Sequence, residues 1–514
     1  MPDYIFMLES RLSSEQLRAL NRVQQEAQDS SLNVYLVGGA VRDLMTGSPI
    51  RDLDFVIEGN ALRVARRLPA EEVQRLEINE RQRRAELLLA DGVSLSLEMA
   101  RSEFFHQPGK PPEVKPVPIL EDLRRRDFSL NAMAISLTPG SRGLLLDPTN
   151  GLADIENREL RVLHNYSFLH DPLRLLRLVR FAIRLRFRPE GRTQELFQVA
   201  LERGYQHYIQ AQPLRREVEE IAREENVVAV LKALAEHQLL AVLHRGLQKR
   251  KPDYQGLAKL QRYRQQAGET GYRLAPFYLV LYYLLQRLKR RAQKQLLRNL
   301  GFKKPEVKQA LGLEREARQV VTLLRRQRPV GPRPIYQLLS PIPVELLVFV
   351  LAEYSHKKKI QAKIYNYLFK YRPLRQKLPG RELQLMGVPP GPKFDQILER
   401  YFEAQLEGKL RSRAQQLRFL RKLAGLPKPA PKRKKRKKKP RPAAVPEAEK
   451  PPGAREAMVP EAAVTPSSAP PEKAVEKPGG EVLPEKKLVE KAGKNPAAKV
   501  QQKRREQPKK RRRS

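Results

Sequence analysis

The sequence predicts an α+β fold in which a mixed head of strands and helices is followed by a long helical region. Strand-like apolar runs alternate with helical stretches over residues 33–137, whereas beyond residue 150 the spacing of Leu, Ile and Val is helical to about residue 425. After Leu426 the composition changes to Pro, Ala, Glu and Lys with almost no aromatic residues. Such a segment buries too little apolar surface to offset its ordering entropy, so we predict disorder there.

The individual elements follow from local patterns along the chain. Residues 14–27 form an amphipathic pattern that predicts a helix, with Ser13 or Ser14 as its N-cap. Apolar runs predict strands at 34–37, 53–57, 85–89 and 93–99, and residues 121–135 combine a helix start with a later strand. Helical spacing then recurs at 172–185, 192–203, 215–224 and 227–236. The head therefore precedes a region built almost entirely from helices.

The net charge of the chain indicates which class of partner the protein binds. It has 100 Lys and Arg against 57 Asp and Glu, a formal net charge of +43, which indicates a nucleic acid or an anionic membrane surface. The longest apolar runs, such as 275–285, are shorter than the roughly 20 residues of a membrane span. The first residues also lack the pattern of a secretory signal. We therefore predict a nucleic-acid partner and no membrane, and the absence of cysteine fits a cytoplasmic protein.

Two acids one residue apart are the main candidate for catalysis. Asp52 and Asp54 lie in the strand-like run 51–57, and side chains at positions i and i+2 of a strand point to the same face. Upstream, Gly38 and Gly39 follow an apolar run and precede a helix start, where glycine lets a phosphate approach the backbone N–H groups. Two carboxylates suit Mg²⁺, which prefers hard oxygen ligands and substrate phosphates. An exposed acidic strand edge is the alternative.

Several motifs resemble those of tRNA nucleotidyltransferases and bacterial poly(A) polymerases, which share a polymerase-β-like head. The matching segments are LVGGAVRDL at 36–44, RDLDFVI at 51–57, RRRDFSLNAMA at 124–134, the stretch from Asp147 to Asp154, and HDPLRLLRLVRF at 170–181, with a weaker match at 380–392. They occur in the order and spacing of that family. The resemblance covers about the first 425 residues and implies an α+β head followed by a helical neck, body and tail.

The resemblance implies a domain organisation as well. Its parts are an N-terminal helix at 1–30, a nucleotidyltransferase head at 31–140, a neck at 141–225 that recognises the base, an RNA-binding body and tail at 226–426, and the disordered basic tail at 427–514. Within that last segment, Lys432–Lys439 is a run of eight cations, and 503–513 forms a second basic cluster. Both clusters would contact phosphates without reading bases.

Roles for individual residues come with the resemblance. Asp52 and Asp54 would hold the metal, Gly38, Gly39 and Arg42 the triphosphate, and Arg126 the incoming nucleotide, since a guanidinium pairs with two phosphate oxygens at once. The alternatives are that Arg42 and Asp43 form an ordinary surface pair and that Arg126 belongs to a basic RNA-facing surface. The family usually carries a third acid where this chain has Ser96. Glu98, two residues on, would replace it as a catalytic acid or would be an ordinary exposed residue.

The neck helix carries three arginines on an otherwise apolar helix: Arg174, Arg177 and Arg180. Unpaired burial of such cations is costly, so they need anions, and we expect a nucleotide to supply them. By resemblance, Asp171 and Arg174 would read the Watson–Crick edge of the incoming base, while Arg177 and Arg180 support the nucleotide or the fold. Asp171 before Pro172 also fits an N-cap. The family's Glu at the preceding position is His170 here, which leaves the choice of base open.

These features predict a metal-dependent, template-independent enzyme that adds CMP or AMP to the 3′ end of RNA. It would use ATP, CTP or both, with Mg²⁺ as cofactor and tRNA as the acceptor. One alternative is a poly(A) polymerase that acts on diverse RNA 3′ ends. Another is an inactive RNA-binding protein on the same fold, which is favoured by the departures from the family pattern at Ser96 and His170. The presence of Asp52, Asp54 and Arg126 argues against this alternative.

Overall fold

The strand-rich head and the helical region behind it are both present in the computed structural model. The structure describes residues 3–272 and 274–426. It has one mixed seven-stranded sheet in the N-terminal part and helices almost throughout the remainder, which confirms the predicted α+β class. The prediction of a disordered basic tail at 427–514 concerns residues outside the described ranges.

The strands of the described residues lie mainly in the head. They are β1 Asn33–Val37, β2 Leu53–Glu58, β3 Val73–Asn79, β4 Arg84–Leu89, β5 Ser94–Met99, β6 Arg101–Phe104, β7 Glu113–Pro116, β8 Ala134–Ser136, β9 Leu145–Leu146, β10 Glu159–Leu160 and β11 Arg188–Pro189. The last two form a short parallel pair within the otherwise helical region.

The helices in and around the head are α1 Tyr4–Arg11, α2 Ser14–Asp29, α3 Gly39–Met45, α4 Ala61–Arg67, α5 Ile119–Arg124, α6 Gly151–Asn157 and α7 Ser167–His170. Those that follow are α8 Arg174–Leu185, α9 Gly191–Glu202, α10 Ala211–Arg223, α11 Val227–Glu236, α12 Leu240–Leu243, α13 Arg245–Lys249, α14 Tyr254–Glu269, α15 Phe277–Leu285, α16 Arg290–Asn299, α17 Lys304–Gln327, α18 Pro332–Leu339, α19 Val344–Glu353, α20 Lys358–Asn366, α21 Arg372–Gln376, α22 Gly380–Leu385, α23 Pro392–Leu406 and α24 Arg413–Leu423. A π-helical turn, Tyr367–Tyr371, joins α20 to α21.

The strand order of the head sheet is β3-β4-β5-β2-β1-β8-β9. Strands β2 and β5 pair in parallel, and the other neighbours in this sheet pair antiparallel. This register places Asp54 of β2 between Val37 of β1 and Ser96 of β5. The predicted acid therefore lies in a central strand of the sheet.

The two faces of the sheet bury different sets of side chains. Phe55 and Ile57 of β2 belong to the large hydrophobic core that also takes in α2 and α4. Val56 belongs to a second, smaller core together with Ile119 and Leu123 of α5. Because side chains alternate along a strand, Asp54 points to the same face as Val56. The carboxylate therefore lies on the side of the sheet that α5 covers.

The large core continues from the head into the helices as far as Leu368, and a separate apolar cluster joins α22, α23 and α24. The predicted domain boundaries remain predictions. Among the described residues no single helix has the length and apolar character to cross a membrane, and only α18 with α19, bent by 112°, passes that test as a pair.

Some elements differ from the sequence prediction. Helix α1, the edge strand β3 and the β6–β7 hairpin were not predicted, and Asp52 lies just before β2 rather than within it. Strand β3 is exposed along most of its length and pairs on one side only, so it lacks the apolar alternation that reveals a half-buried strand. Ser13 is the N-cap of α2, in a capping box with Gln16, as one of the two predicted choices.

Candidate active site

A glycine turn joins β1 to α3 at the sheet end where Asp54 lies. Gly38 has φ of +64°, a conformation that other residues adopt only with strain. A Cβ added to Gly38 would lie 3.2 Å from Nη1 of Arg126, and one added to Gly39 would lie 3.8 Å from Oδ2 of Asp54. The bare backbone of the turn therefore lies between a guanidinium and a carboxylate.

The two aspartates have few protein partners. The Oγ of Ser96 donates a hydrogen bond to Oδ1 of Asp54 at 2.5 Å, and Nη1 of Arg223 lies 3.1 Å from Oδ2 of Asp52. Burial raises the pKa of Asp52, against the pull of Arg223, and the charge of Asp54 adds to the rise. Burial also raises the pKa of Asp54, against the hydrogen bond from Ser96. The site therefore holds negative charge that the protein only partly compensates.

Glu98 has the opposite surroundings. Its carboxylate lies 2.9 Å from Arg84, 3.4 Å from Arg101 and 3.9 Å from Arg125. Burial would raise the pKa of Glu98, but these arginines hold it well below its ordinary value. Among the described residues no group of three His, Cys, Asp or Glu side chains is arranged to hold a metal ion. The structure does not bring Glu98 into one cluster with Asp52 and Asp54, and its catalytic role stays a prediction.

Arg42 lies behind the glycine turn rather than on the surface. Its guanidinium donates to Oδ1 of Asp43 at 2.7 and 2.9 Å and to Oδ1 of Asn131 at 2.7 Å, and it packs 5.0 Å from the ring centre of Phe181. The alternative of a surface Arg–Asp pair is wrong in one respect, because both side chains are buried. Arg42 therefore fixes the turn from beneath with most of its donors occupied by the protein.

Arg126 is held by Asp122, an acid that the sequence analysis did not single out. Asp122 is fully buried and accepts hydrogen bonds from Arg126 at 3.0 Å, from Arg125 at 2.6 Å and from the backbone N–H of Arg101 at 3.1 Å. Its two charged partners hold the pKa of Asp122 below its ordinary value in spite of burial. The spacing of Asp122 to Arg125 and Arg126 on one helical turn was a signal that could have found it.

The arginines of α8 find their anions mainly within the protein. Arg180 is buried, and its guanidinium lies 2.6 Å from Glu217 and 2.9 Å from Glu224. Arg177 lies 2.8 Å from Asp127. The expectation that a nucleotide supplies the anion therefore does not hold for Arg180, for which the structure favours support of the fold. The sequence could not show this, because Glu217 lies in α10 and Glu224 at its C-terminal end, two helices further along the chain than α8.

Arg174 differs from the other two. Nη1 donates to Oγ of Ser167 at 2.6 Å and Nη2 to the carbonyl of Arg125 at 3.0 Å. Its Nε has no hydrogen-bond partner in the described part of the chain, although the carboxylate of Asp171 lies 3.7 Å away. Asp171 also accepts from the backbone N–H of Leu173 at 3.2 Å, so the capping role is present and leaves the second oxygen toward Arg174. The two predicted base-reading residues are therefore adjacent.

These features agree with the known relatives of the chain. The poly(A) polymerase head domain family matches residues 34–161, the segment that contains the glycine turn, both aspartates and Arg126. The chain resembles tRNA nucleotidyltransferases and poly(A) polymerases. These family enzymes are nucleotidyltransferases and are generally metal-dependent.

Individual proteins resemble this chain to different extents. The A-adding tRNA nucleotidyltransferase of Halalkalibacterium halodurans is 29% identical over 432 residues, which is 81% of this chain and 95% of that protein. The CC-adding tRNA nucleotidyltransferase of Deinococcus radiodurans is 44% identical over 160 residues, which is 30% of this chain and 41% of that protein. A solved apo structure of a CCA-adding enzyme is 28% identical, covers 83% of this chain and 99% of that one, and superposes with a TM-score of 0.48.

Proposed function

We propose that this protein transfers AMP from ATP to the 3′ end of tRNA and releases pyrophosphate. The observation that carries the proposal is the pair Asp52 and Asp54 beside the bare backbone of Gly38 and Gly39, in a head of the poly(A) polymerase type. The relative from Halalkalibacterium halodurans, whose length the chain almost fully spans, is an A-adding enzyme. An A-adding activity on tRNA is therefore favoured over one on RNA in general, and it agrees with the cytoplasmic location predicted from the sequence.

Asp52 and Asp54 would hold Mg²⁺. Their donor atoms are carboxylate oxygens, the ligands that this ion prefers, and two of them leave room for waters and substrate phosphates. The pKa of each is raised by burial, which indicates that a cation at this position would be stabilised. A bound divalent ion would neutralise the charge on the attacking and leaving oxygens. Arg223, which now contacts Asp52, would have to yield to the ion.

The residues around the turn would bind the triphosphate. The backbone of Gly38 and Gly39 leaves space for phosphate oxygens, and Arg126, fixed by Asp122, presents its guanidinium at that space. Arg42 would act through position, since it anchors the turn to Asn131. Glu98 would position Arg84 and Arg101 rather than bind metal, because both arginines already occupy its carboxylate.

Asp171 and Arg174 would read the edge of the incoming base. A carboxylate accepts and a guanidinium donates, so the pair offers both kinds of hydrogen bond in one plane. The orphaned Nε of Arg174 is the kind of buried donor that costs free energy until a partner arrives. Arg177 lies on the same helix with its guanidinium about one-third exposed and would steady the nucleotide, whereas Arg180 supports the helix.

The helical body would hold the RNA backbone at a basic cavity of about 380 Å³ between α16 and α17. Its lining contains six cationic side chains, Arg290, Lys294, Arg298, Lys304, Lys308 and Arg315, above an apolar floor that includes Phe302. No acidic side chain lines it. Cations without compensating acids bind phosphates in a salt-dependent way and do not read sequence.

The test uses three acceptors with purified protein: tRNA that lacks CCA, tRNA that ends in CC, and an unstructured RNA, each with ATP or CTP alone. We expect addition of one AMP to the tRNA that ends in CC, no incorporation of CMP, and loss of the reaction in Asp52→Ala. Incorporation of CMP would indicate a CCA-adding enzyme instead. Long A tracts on unstructured RNA would indicate a poly(A) polymerase, and no incorporation anywhere would indicate a binding protein.

A further inference from the structure

Four aromatic rings gather beside the candidate base-reading residues. The ring of His170 is nearly parallel to that of Phe105, with centroids 5.1 Å apart and 13° between planes, and to that of Tyr166, at 5.8 Å and 22°. The ring of His164 lies 5.3 Å from that of His170. We call Phe105, His164, Tyr166 and His170 the ring cluster.

The ring cluster is not part of a hydrophobic core. None of its members belongs to the apolar clusters of the described residues, and Tyr166 is 64% exposed. Aromatic side chains contribute most to stability when they are buried, so parallel rings at a surface are not explained by packing of the fold. The exposed ring of Tyr166 is accessible to a ligand.

The backbone holds the ring cluster in place from the opposite side. The β6–β7 hairpin carries Phe105, and its Gly109 donates a hydrogen bond to the carbonyl of His170 at 3.2 Å. Gly109 has φ of +67°, and a Cβ there would lie 2.2 Å from the carbonyl oxygen of Tyr208. Only glycine allows this approach, so the head hairpin and the neck are joined at the rings without filling the exposed face.

The two histidines of the ring cluster have lowered pKa values. Burial lowers the pKa of His164 to about 4, and Arg174 adds to the shift. Burial, with Arg174 again, lowers the pKa of His170. A neutral, flat and partly exposed surface beside an arginine is what an unpaired nucleobase stacks on, whereas a phosphate would need the imidazoles charged.

We propose that the ring cluster is the stacking site for the unpaired nucleobase at the 3′ end of the RNA acceptor. Asp171 follows His170 directly and presents hydrogen-bonding groups to the edge of a base, while ring faces hold any base without reading it. The base of the incoming nucleotide must be recognised by hydrogen bonds to its edge, whereas the base of the acceptor need not be. Asp171 and Arg174 would therefore bind the first base and the ring cluster the second. This inference rests on the proposed function, whose acceptor is an RNA 3′ end.

The test measures AMP addition by Tyr166→Ala, with Tyr166→Phe as matched control, on acceptors whose 3′-terminal nucleotide either carries its base or is abasic. We expect Tyr166→Ala to raise the KM for the intact acceptor roughly tenfold and leave the KM for ATP within about twofold, since one stacking contact is lost. Tyr166→Phe keeps the ring and should match the wild type. The abasic acceptor should bind the wild type and Tyr166→Ala equally.

A second readout does not depend on turnover. An acceptor with 2-aminopurine at its 3′ end should lose fluorescence on binding the wild type, because stacking quenches it, and should lose much less on binding Tyr166→Ala. An unchanged KM for the intact acceptor, or a raised KM for ATP in place of that for RNA, would overturn the inference. Absence of AMP addition by the wild type would instead overturn the proposed function, and the fluorescence comparison would still judge the ring cluster.

Discussion

The head contains two groups of acids with opposite electrostatic surroundings. Asp52 and Asp54 are half-buried, with one arginine and one hydroxyl as direct partners among the described residues, and the pKa of each is raised. Glu98 is half-buried and Asp122 is buried, both lie among arginines, and the pKa of each is lowered. The protein therefore neutralises the carboxylates of Glu98 and Asp122 with arginines, whereas it compensates those of Asp52 and Asp54 only in part. The first group is therefore the one to which we assign the proposed metal ion.

The largest expected effect is on catalysis at the undercompensated group. Asp54→Asn should lower kcat for AMP addition on the order of 1,000-fold, because it removes a carboxylate charge that would hold the metal ion beside the reacting phosphate. It should not lower the free energy of unfolding, since the ionised side chain is disfavoured by burial. Rates with labelled ATP and urea unfolding check both parts. Glu77→Gln, an exposed acid of β3, is the control, and near-wild-type turnover by Asp54→Asn would contradict the comparison.

The second effect is on stability at the compensated group. Asp122→Asn should lower the free energy of unfolding by about 3 kcal/mol, because it leaves Arg125 and Arg126 buried without their anion. Urea unfolding measures this, and Glu77→Gln should change it by less than about 0.5 kcal/mol. If Asp122→Asn unfolded like the wild type, the arginines would not depend on this carboxylate.

A third experiment decides the role of Glu98. Glu98→Gln should lower the melting temperature and reduce kcat by only about threefold, because the arginines lose a positioning partner. The Mg²⁺ concentration for half-maximal rate should stay unchanged. A tenfold increase in that concentration would instead make Glu98 a metal ligand, as the sequence analysis allowed.

The smallest effect is in the pH dependence of stability. Glu98 has a lowered pKa in the fold, so its contribution is present above its ordinary pKa of 4.5 and is lost as the pH falls below that value. The stability gap between wild type and Glu98→Gln should therefore close on acidification. Asp54 has a raised pKa, so its ionisation costs stability at neutral pH and the cost disappears on acidification.

Asp54→Asn should consequently be more stable than the wild type at pH 7, and that difference should vanish as the pH falls below the ordinary pKa of the side chain. Urea unfolding of both variants at several pH values gives the two gaps. Gaps of the same sign for Asp54→Asn and Glu98→Gln would contradict the comparison between the two groups.

Local patterns in the chain were sufficient for the fold class, the glycine turn and the aspartate pair. Alternation of apolar residues predicts a strand that is buried on one face, and Gly38 and Gly39 predict a turn without side chains. Both predictions use only neighbouring residues in the sequence. The edge strand β3 escaped because it is exposed and gives no alternation. The order of the motifs along the chain then indicated the resemblance to a known family.

The partners of the charged side chains depended on the folded chain. Arg180 meets Glu217 and Glu224, Asp52 meets Arg223, and the ring of Phe105 meets that of His170. Each pair is far apart along the chain, and an ion pair or a ring stack is a property of distance and burial, to which composition and spacing are blind. For that reason the residue types were sufficient to propose a site, whereas only the folded structure shows which of its charges are paired within the protein.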